Sequence, residues 1–323
     1  LSVTAEGGGA QIGEVTESPS LVEPGTVSTG LNERDAALSP DGRTFAFTVL
    51  LAGRRGAIVL MERRGGAWSK PEVAPFSGTY SDVEPAFSPD GSRLWFASNR
   101  PVKAGGPSKD TDLWYVERTA EGWSEPVNPG PPLNTPRNEF YPSIARSGAV
   151  YFTVGKPSKP SDEDIFVARP SGAGFRAPEN LGPAVNSDGP EFNAFVDPGE
   201  RYLLYTAWGR PGGAGGGDLY VSFRKKDGSW TPPRNLGPDV NSDALDYCPS
   251  VSPNGKVLFF TSRRRGALPA GERLTYESLR RRQNAPGNGL GDIYQVDSRV
   301  FLRLAPEGSP AKTAAAAGSH GAP

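Results

Sequence analysis

Apolar and polar residues along this chain fall into short bursts, and the bursts come in pairs. At residues 84–100, EPAFSPDGSRLWFASNR, an apolar run meets a Pro-Asp-Gly turn and a second run ends in an aromatic residue, which predicts an antiparallel hairpin. The same pattern returns as AALSPDGRTFAFTVL (36–50), PSIARSGAVYFTVGK (142–156), AFVDPGERYLLYTAW (194–208) and PSVSPNGKVLFFTSR (249–263). With Gly42, Gly91, Gly148, Glu200 and Gly255 as equivalent turn positions the spacings are 49, 57, 52 and 55, the interval at which propeller blades repeat.

Each copy continues in the same order. The second strand places an aromatic at Phe47, Phe96, Phe152, Tyr205 and Phe260, and a third strand follows as AIVLM (57), DLWYV (112), DIFVA (164), DLYVS (218) or DIYQV (292). A fourth segment opens with WSKP (68), WSEP (123), FRAP (175) or WTPP (230). Four short strands per copy make a propeller blade. The linkers between blades align without gaps as VSTGLNE (27–33), FSGTYSD (76–82), LNTPRNE (133–139), VNSDGPE (185–191) and VNSDALD (240–246), each ending in a carboxylate. One of the five lies at the N-terminus, ahead of the first turn, so both ends of the chain are expected to complete one sheet and close the ring. The expected fold is all-β, a single β-propeller of five blades of four antiparallel strands over residues 21–304. The Ala/Gly/Pro-rich ends, 1–20 and 305–323, are expected to be disordered.

The Ser-Pro-Asp-Gly turn followed by RLWFASNR or KVLFFTSR, with DLYVS and NLGPDVNS downstream, resembles the Pro-Asp type of repeat found in TolB-like β-propellers of the bacterial envelope. The resemblance spans about residues 21–304. It implies a binding or protein-interaction module with an envelope protein as partner, and a periplasmic or extracellular location after removal of a leader. TolB-like propellers usually have six blades, and six is the alternative to the five copies counted in this chain.

Composition fits many short strands joined by tight turns, with 33 Pro, 41 Gly and 10% aromatic residues. A net charge of −1 removes the electrostatic drive toward nucleic acid, and no apolar run is long enough for a transmembrane helix. The chain opens at Leu1 rather than Met, which is read as the mark of a removed leader. It is expected to act as a monomer. The sole cysteine, Cys248, reads as a small buried hydrophobe, and the sole histidine, His320, lies in the terminal tail, so triad and His-built zinc chemistry are excluded from the folded region. The glycine-rich stretch RPGGAGGGDLY (210–220) lacks the Lys-Ser/Thr of a phosphate loop and reads as a hairpin loop.

Two sets of residues carry candidate chemistry. Glu33, Asp82, Glu139, Glu191 and Asp246 end the linkers and are expected to ring one mouth of the channel. Their structural reading is as acceptors for backbone N–H groups where blades meet. Their functional readings are a cation site, for calcium, or an acid/base pair for glycoside hydrolysis or lysis, the latter needing two carboxylates roughly 5 to 9.5 Å apart. No other cofactor is expected. The second set lies in the fifth blade, where 32 residues separate the second-strand aromatic from the third-strand Asp, against 10, 16, 12 and 13 in the other blades. This insert predicts a short helix over 271–283 and carries Arg263, Arg264, Arg265, Tyr276, Arg280, Arg281 and Arg282. With Arg100, Lys156 and Arg210, each just after a second strand, it forms a candidate surface for an acidic envelope protein or an anionic glycan.

Overall fold

A computed structural model describes residues 9–312 apart from 52–54, 104, 107–109, 157–158, 173, 269–270 and 272. The chain forms five antiparallel sheets arranged as a β-propeller. Their innermost strands are Glu33–Leu38, Asp82–Phe87, Glu139–Ile144, Glu191–Val196 and Asp246–Val251. Second strands (Thr44–Leu50, Arg93–Ser98, Val150–Lys156, Tyr202–Ala207, Val257–Ser262) and third strands (Gly56–Arg64, Asp112–Thr119, Lys159–Ala168, Asp218–Phe223, Asp292–Asp297) follow outward. In the fifth sheet the outermost strand is Ser20–Leu21 from the N-terminus, with Ser20 opposite Gln295 and Leu21 opposite Tyr294. Val22 and Val27 are fully buried beyond it, and Ser28 Oγ donates to the Ile293 carbonyl at 2.9 Å.

The described part of the expected tails is packed rather than free. Ala10 and Ile12 are buried, and Gln295 Nε2 donates to the Gln11 carbonyl at 2.6 Å. After the fifth blade a short helix, Arg299–Leu302, and the residues that follow it place Phe301, Ala305 and Ala311 against the fourth and fifth blades. Few large apolar residues occur in these segments, which is why they read as unpatterned. Residues 1–8 and 313–323 lie outside the described part.

The core consists of five layers between adjacent sheets. Phe45, Phe47 and Phe259 join the fifth blade to the first, Leu94, Phe96 and Ile58 the first to the second, and Tyr151 and Tyr205 the third to the fourth. The repeated second-strand aromatics therefore face neighbouring sheets, each side chain contributing about 1.5–3 kcal/mol by burial. The turns are built alike. Ser39 and Ser88 donate from Oγ to Asp41 and Asp90 at 2.6 Å and accept from the backbone of the returning strand. Gly42, Gly91, Gly148 and Gly255 take a left-handed φ there, and Glu200 takes it without being glycine. Its carboxylate accepts from Tyr151 Oη of the preceding blade at 2.5 Å, which ties the two blades together.

Candidate functional site

In each blade, linkers and second-to-third-strand connections lie at one end of the propeller, and the first-to-second-strand turns, Pro-Asp-Gly or its counterpart, lie at the other. The five linker carboxylates are buried at the first end, at 0–1% exposure. Each is held by its own linker. Thr29 N–H and Oγ1 donate to Glu33, Thr135 to Glu139, Ser187 to Glu191 and Ser242 to Asp246, while Asp82 accepts from Ser77 Oγ at 2.9 Å and Ser98 Oγ at 2.6 Å.

Arginines complete three of these sites. Arg100 meets Asp82 at 2.6 Å, Arg210 meets Glu191 at 2.7 Å and Arg264 meets Asp246 at 2.9 Å, and each also donates to a linker carbonyl, of Phe76, Val185 and Val240. The Arg264 guanidinium lies over the Phe260 and Tyr294 rings. Three arginines in the expected ligand surface are thus placed inside blade junctions, at the same end as the acids. In the first blade Leu51 occupies the corresponding position, and burial, opposed by the Thr29 bonds, pushes the Glu33 carboxyl up. The side chain of Lys156 lies outside the described residues.

A second repeated device closes the blades behind the linkers. Asn134 clamps Leu113 through its backbone N–H and carbonyl and donates to Asn128, which donates to Asp112. Asn186, Asn180 and Asp164 repeat this in the third blade, and Asn241, Asn235 and Asp218 in the fourth. The fifth blade has Leu21 and Ser28 in place of the asparagines, so among the described residues Asp292 keeps only the Gly287 N–H. Burial pushes its carboxyl up to about 7, with Glu33 adding to the shift.

The channel carries a feature that the sequence reading did not single out. Two residues after each linker acid, the inner strand bulges, and the five bulge residues Asp35, Glu84, Tyr141, Asn193 and Cys248 all have φ between 52° and 63°. Four of their N–H groups turn toward the preceding blade. Asp35 donates to Thr261, Glu84 to Thr48 and Asn193 to Thr153, whereas Tyr141 donates to the Glu84 carboxylate at 2.8 Å because Ala97 stands where those threonines would be. Arg34 enters from the linker side. It donates to Asp35 and Glu84 at 2.8 Å and approaches Cys248 Sγ at 3.4 Å, its guanidinium 5.1 Å from the Tyr247 ring centre. Asn193 Nδ2 reaches Glu84 at 3.4 Å, and Tyr141 Oη donates to the Pro249 carbonyl at 3.0 Å. Burial pushes the Glu84 carboxyl up to about 7, with Arg34 opposing the shift and Asp35 adding to it. Burial also raises the Cys248 thiol.

The fifth-blade insert folds back on the linker end. Gly266 N–H donates to the Gly287 carbonyl at 2.9 Å, Asn288 donates to the Gly30 carbonyl at 3.1 Å, and between them runs the helix Tyr276–Gln283, capped by Thr275 and Ser278. Tyr276 is 78% exposed, and Arg263, Arg265, Arg280 and Arg281 are exposed as well. Arg263 lies 5.7 Å from the Tyr247 ring, while Arg282 is half-buried. Among the described residues no cluster of three or more acidic, Cys or His side chains is arranged to hold a metal ion.

These bonds make the linker acids junction elements. Replacing Glu191 by Gln leaves Arg210 and the Ser187 N–H facing a neutral acceptor and should cost on the order of 1–3 kcal/mol. Calcium or a chelator should leave the melting midpoint of the parent unchanged. A large calcium-dependent rise would make the carboxylates ligands instead.

No family model and no curated protein matches this chain. Solved structures that resemble it include a putative TolB from Agrobacterium tumefaciens, at 14% identity and a TM-score of 0.48 over 83% of this chain and 90% of that one. TolB from Acinetobacter baumannii gives 15% identity and 0.46, over 82% of this chain and 54% of that one. The α-L-arabinofuranosidase PaAbf62A from Podospora anserina gives 12% and 0.49, over 88% and 94%. At these identities and scores the likenesses carry no argument about activity.

Proposed function

We propose that this propeller is a non-enzymatic interaction module of the bacterial envelope, which docks an acidic protein on its linker end with the fifth-blade insert at the centre. The observation that carries this reading is where large apolar side chains reach solvent. Leu31 lies in a linker, and Leu51, Val102 and Trp208 follow second strands. Leu268, Leu274, Tyr276, Leu279 and Leu290 belong to the insert, so only Val15, Val73 and Val127 of the exposed large hydrophobics among the described residues lie elsewhere. Exposed apolar groups gathered on one end, beside arginines, fit a protein partner better than a glycan, because leucines gain by burial against apolar surface. The glycan-cleaving reading finds less support, since the linker acids are buried and held by their own linkers and Arg34 fills the space between Asp35 and Glu84.

The test is a five-fold variant, Leu274→Ser, Tyr276→Ser, Leu279→Ser, Arg280→Glu and Arg281→Glu. Its side chains are exposed, so the melting midpoint should stay within a few degrees of the parent. Crosslinking to partners in an envelope extract should fall at least roughly tenfold, as expected when an interface loses its aromatic and arginine anchors. Undiminished crosslinking would refute the assignment. Release of the parent's partner by a soluble anionic polysaccharide, but not by salt of equal ionic strength, would make the ligand a glycan.

A further inference from the structure

At the end of the propeller opposite the insert, a funnel of about 390 Å³ opens between the Pro-Asp-Gly turns and runs down the axis to the bulge ring. Glu84 and Tyr141 form its floor, and no residue on the linker side of the ring lines it. Leu38, Phe87, Ile144, Phe195 and Val251, all half-buried, supply apolar wall.

The inner strands present their unpaired edge to the axis, and the residue following the bulge is proline in three blades: Pro85, Pro142 and Pro249. Proline has no N–H, so the wall next to the floor is stripped of donors there while keeping its carbonyl oxygens. Once Glu84 is ionised the floor carries excess negative charge, because Asp35 and Glu84 share the single guanidinium of Arg34. Glu84 is 5% exposed, so little water offsets that excess. At the mouth Asp197 is paired with Arg201 at 2.6 Å, and the exposed Arg146 disfavours a cation lodged there, which leaves the floor as the seat for one.

We propose that the funnel binds a small organic monocation with an apolar body, its charge seated against the Glu84 carboxylate and its body against the half-buried walls. The site stands apart from the docking surface proposed above, lying at the other end of the axis. Glu84 Oε1 accepts from Arg34 at 2.8 Å and from Asn193 Nδ2 at 3.4 Å, while Oε2 accepts from the Tyr141 N–H at 2.8 Å; a carboxylate oxygen can accept two bonds, so Oε2 is the oxygen that meets the cation. The charged and titratable groups around Glu84 are Arg34, Asp35, Tyr141 and Cys248, and only Arg34 among them is cationic. As pH rises through about 7, Glu84 gives up its proton and the floor becomes more attractive to a cation.

Calorimetric titration of the whole chain with benzylammonium, benzyl alcohol and benzoate tests this. Benzylammonium should bind, more tightly at about pH 8 than at about pH 5.5, and at least roughly tenfold more tightly than the other two. Glu84→Gln should weaken it by a similar factor, and Val251→Trp, which fills the wall, should abolish it. If Glu84→Gln does not fold, Val251→Trp and the pH dependence of the parent decide. Equal binding of benzyl alcohol, indifference to Val251→Trp, or no benzylammonium binding overturns the proposal. The five-fold insert variant should bind benzylammonium as the parent does, which separates this site from the docking surface.

Discussion

Truncating the chain to begin at residue 31 should abolish its cooperative unfolding transition and drive it to aggregate. The deletion removes Ser20–Leu21 from the edge of the fifth sheet together with the buried Ile12, Val22 and Val27. Four buried apolar side chains, counting Leu21, amount to roughly 6 kcal/mol or more, comparable to the whole stability of a typical domain. The unpaired edge of Asp292–Asp297 would also become a template for pairing with other chains. The opposite end provides the control. Removing everything from Arg299 onward takes out Phe301, whose ring lies 5.1 Å from Tyr202, and should cost about 3–5 kcal/mol while leaving the fifth sheet closed. An unaltered melt after the N-terminal deletion would contradict closure of the ring by that strand.

Arg34→Met should be the most damaging point substitution on the axis, at about 3–5 kcal/mol, because it leaves Asp35 and Glu84 buried without their cation. Adding Asp35→Asn and Glu84→Gln to it should recover much of the loss. A triple variant no more stable than Arg34→Met would mean that packing, not charge, sets the cost. The pH dependence of the parent follows from the same burial. Glu33, Glu84 and Asp292 have carboxyls raised in the folded state, so the folded chain holds their protons while the unfolded chain releases them, and stability falls as pH rises from about 4 to about 7. Asp41, Asp90 and Glu200 have lowered carboxyls, and their contribution is lost as pH falls below about 4. Denaturant midpoints should therefore peak at about pH 4–5, and Asp292→Asn should flatten the descending limb.

The repeat, its five copies and the closure at the N-terminus are legible because each rests on a period that survives substitution. The aromatic at Phe47, Phe96, Phe152, Tyr205 and Phe260 is demanded by the layer between sheets, so it recurs. The linker acids recur for the same reason, and their neighbours Ser187 and Ser242 are visible in the motif that names them. What an arginine pairs with is less visible. Arg263, Arg264 and Arg265 read as one positive cluster, but just past the end of the second strand Arg264 turns inward to Ser262 and Asp246, leaving Arg263 and Arg265 outside. The bulge ring was hidden because a bulge breaks the alternation by which strand faces are read, and because its five side chains share no chemical type. One signal was present. The proline that follows Glu84, Tyr141 and Cys248 sits inside a strand, where it is tolerated only if that edge of the backbone has no neighbour.

The uniform left-handed backbone at Asp35, Glu84, Tyr141, Asn193 and Cys248 has a meaning for how the molecule can change over generations. Each of these residues carries a conformational penalty of about 1–2 kcal/mol that glycine would avoid, yet none is glycine. The chain forgoes that stability to keep five side chains at its centre. Asp35 and Asn193 are of the residue types that meet this backbone at least cost, whereas Glu84, Tyr141 and Cys248 meet it at more, so the cost is heaviest where the side chains reach furthest into the axial network. A fivefold scaffold can in this way keep its symmetry in the walls and place all of its individuality in a ring of five letters.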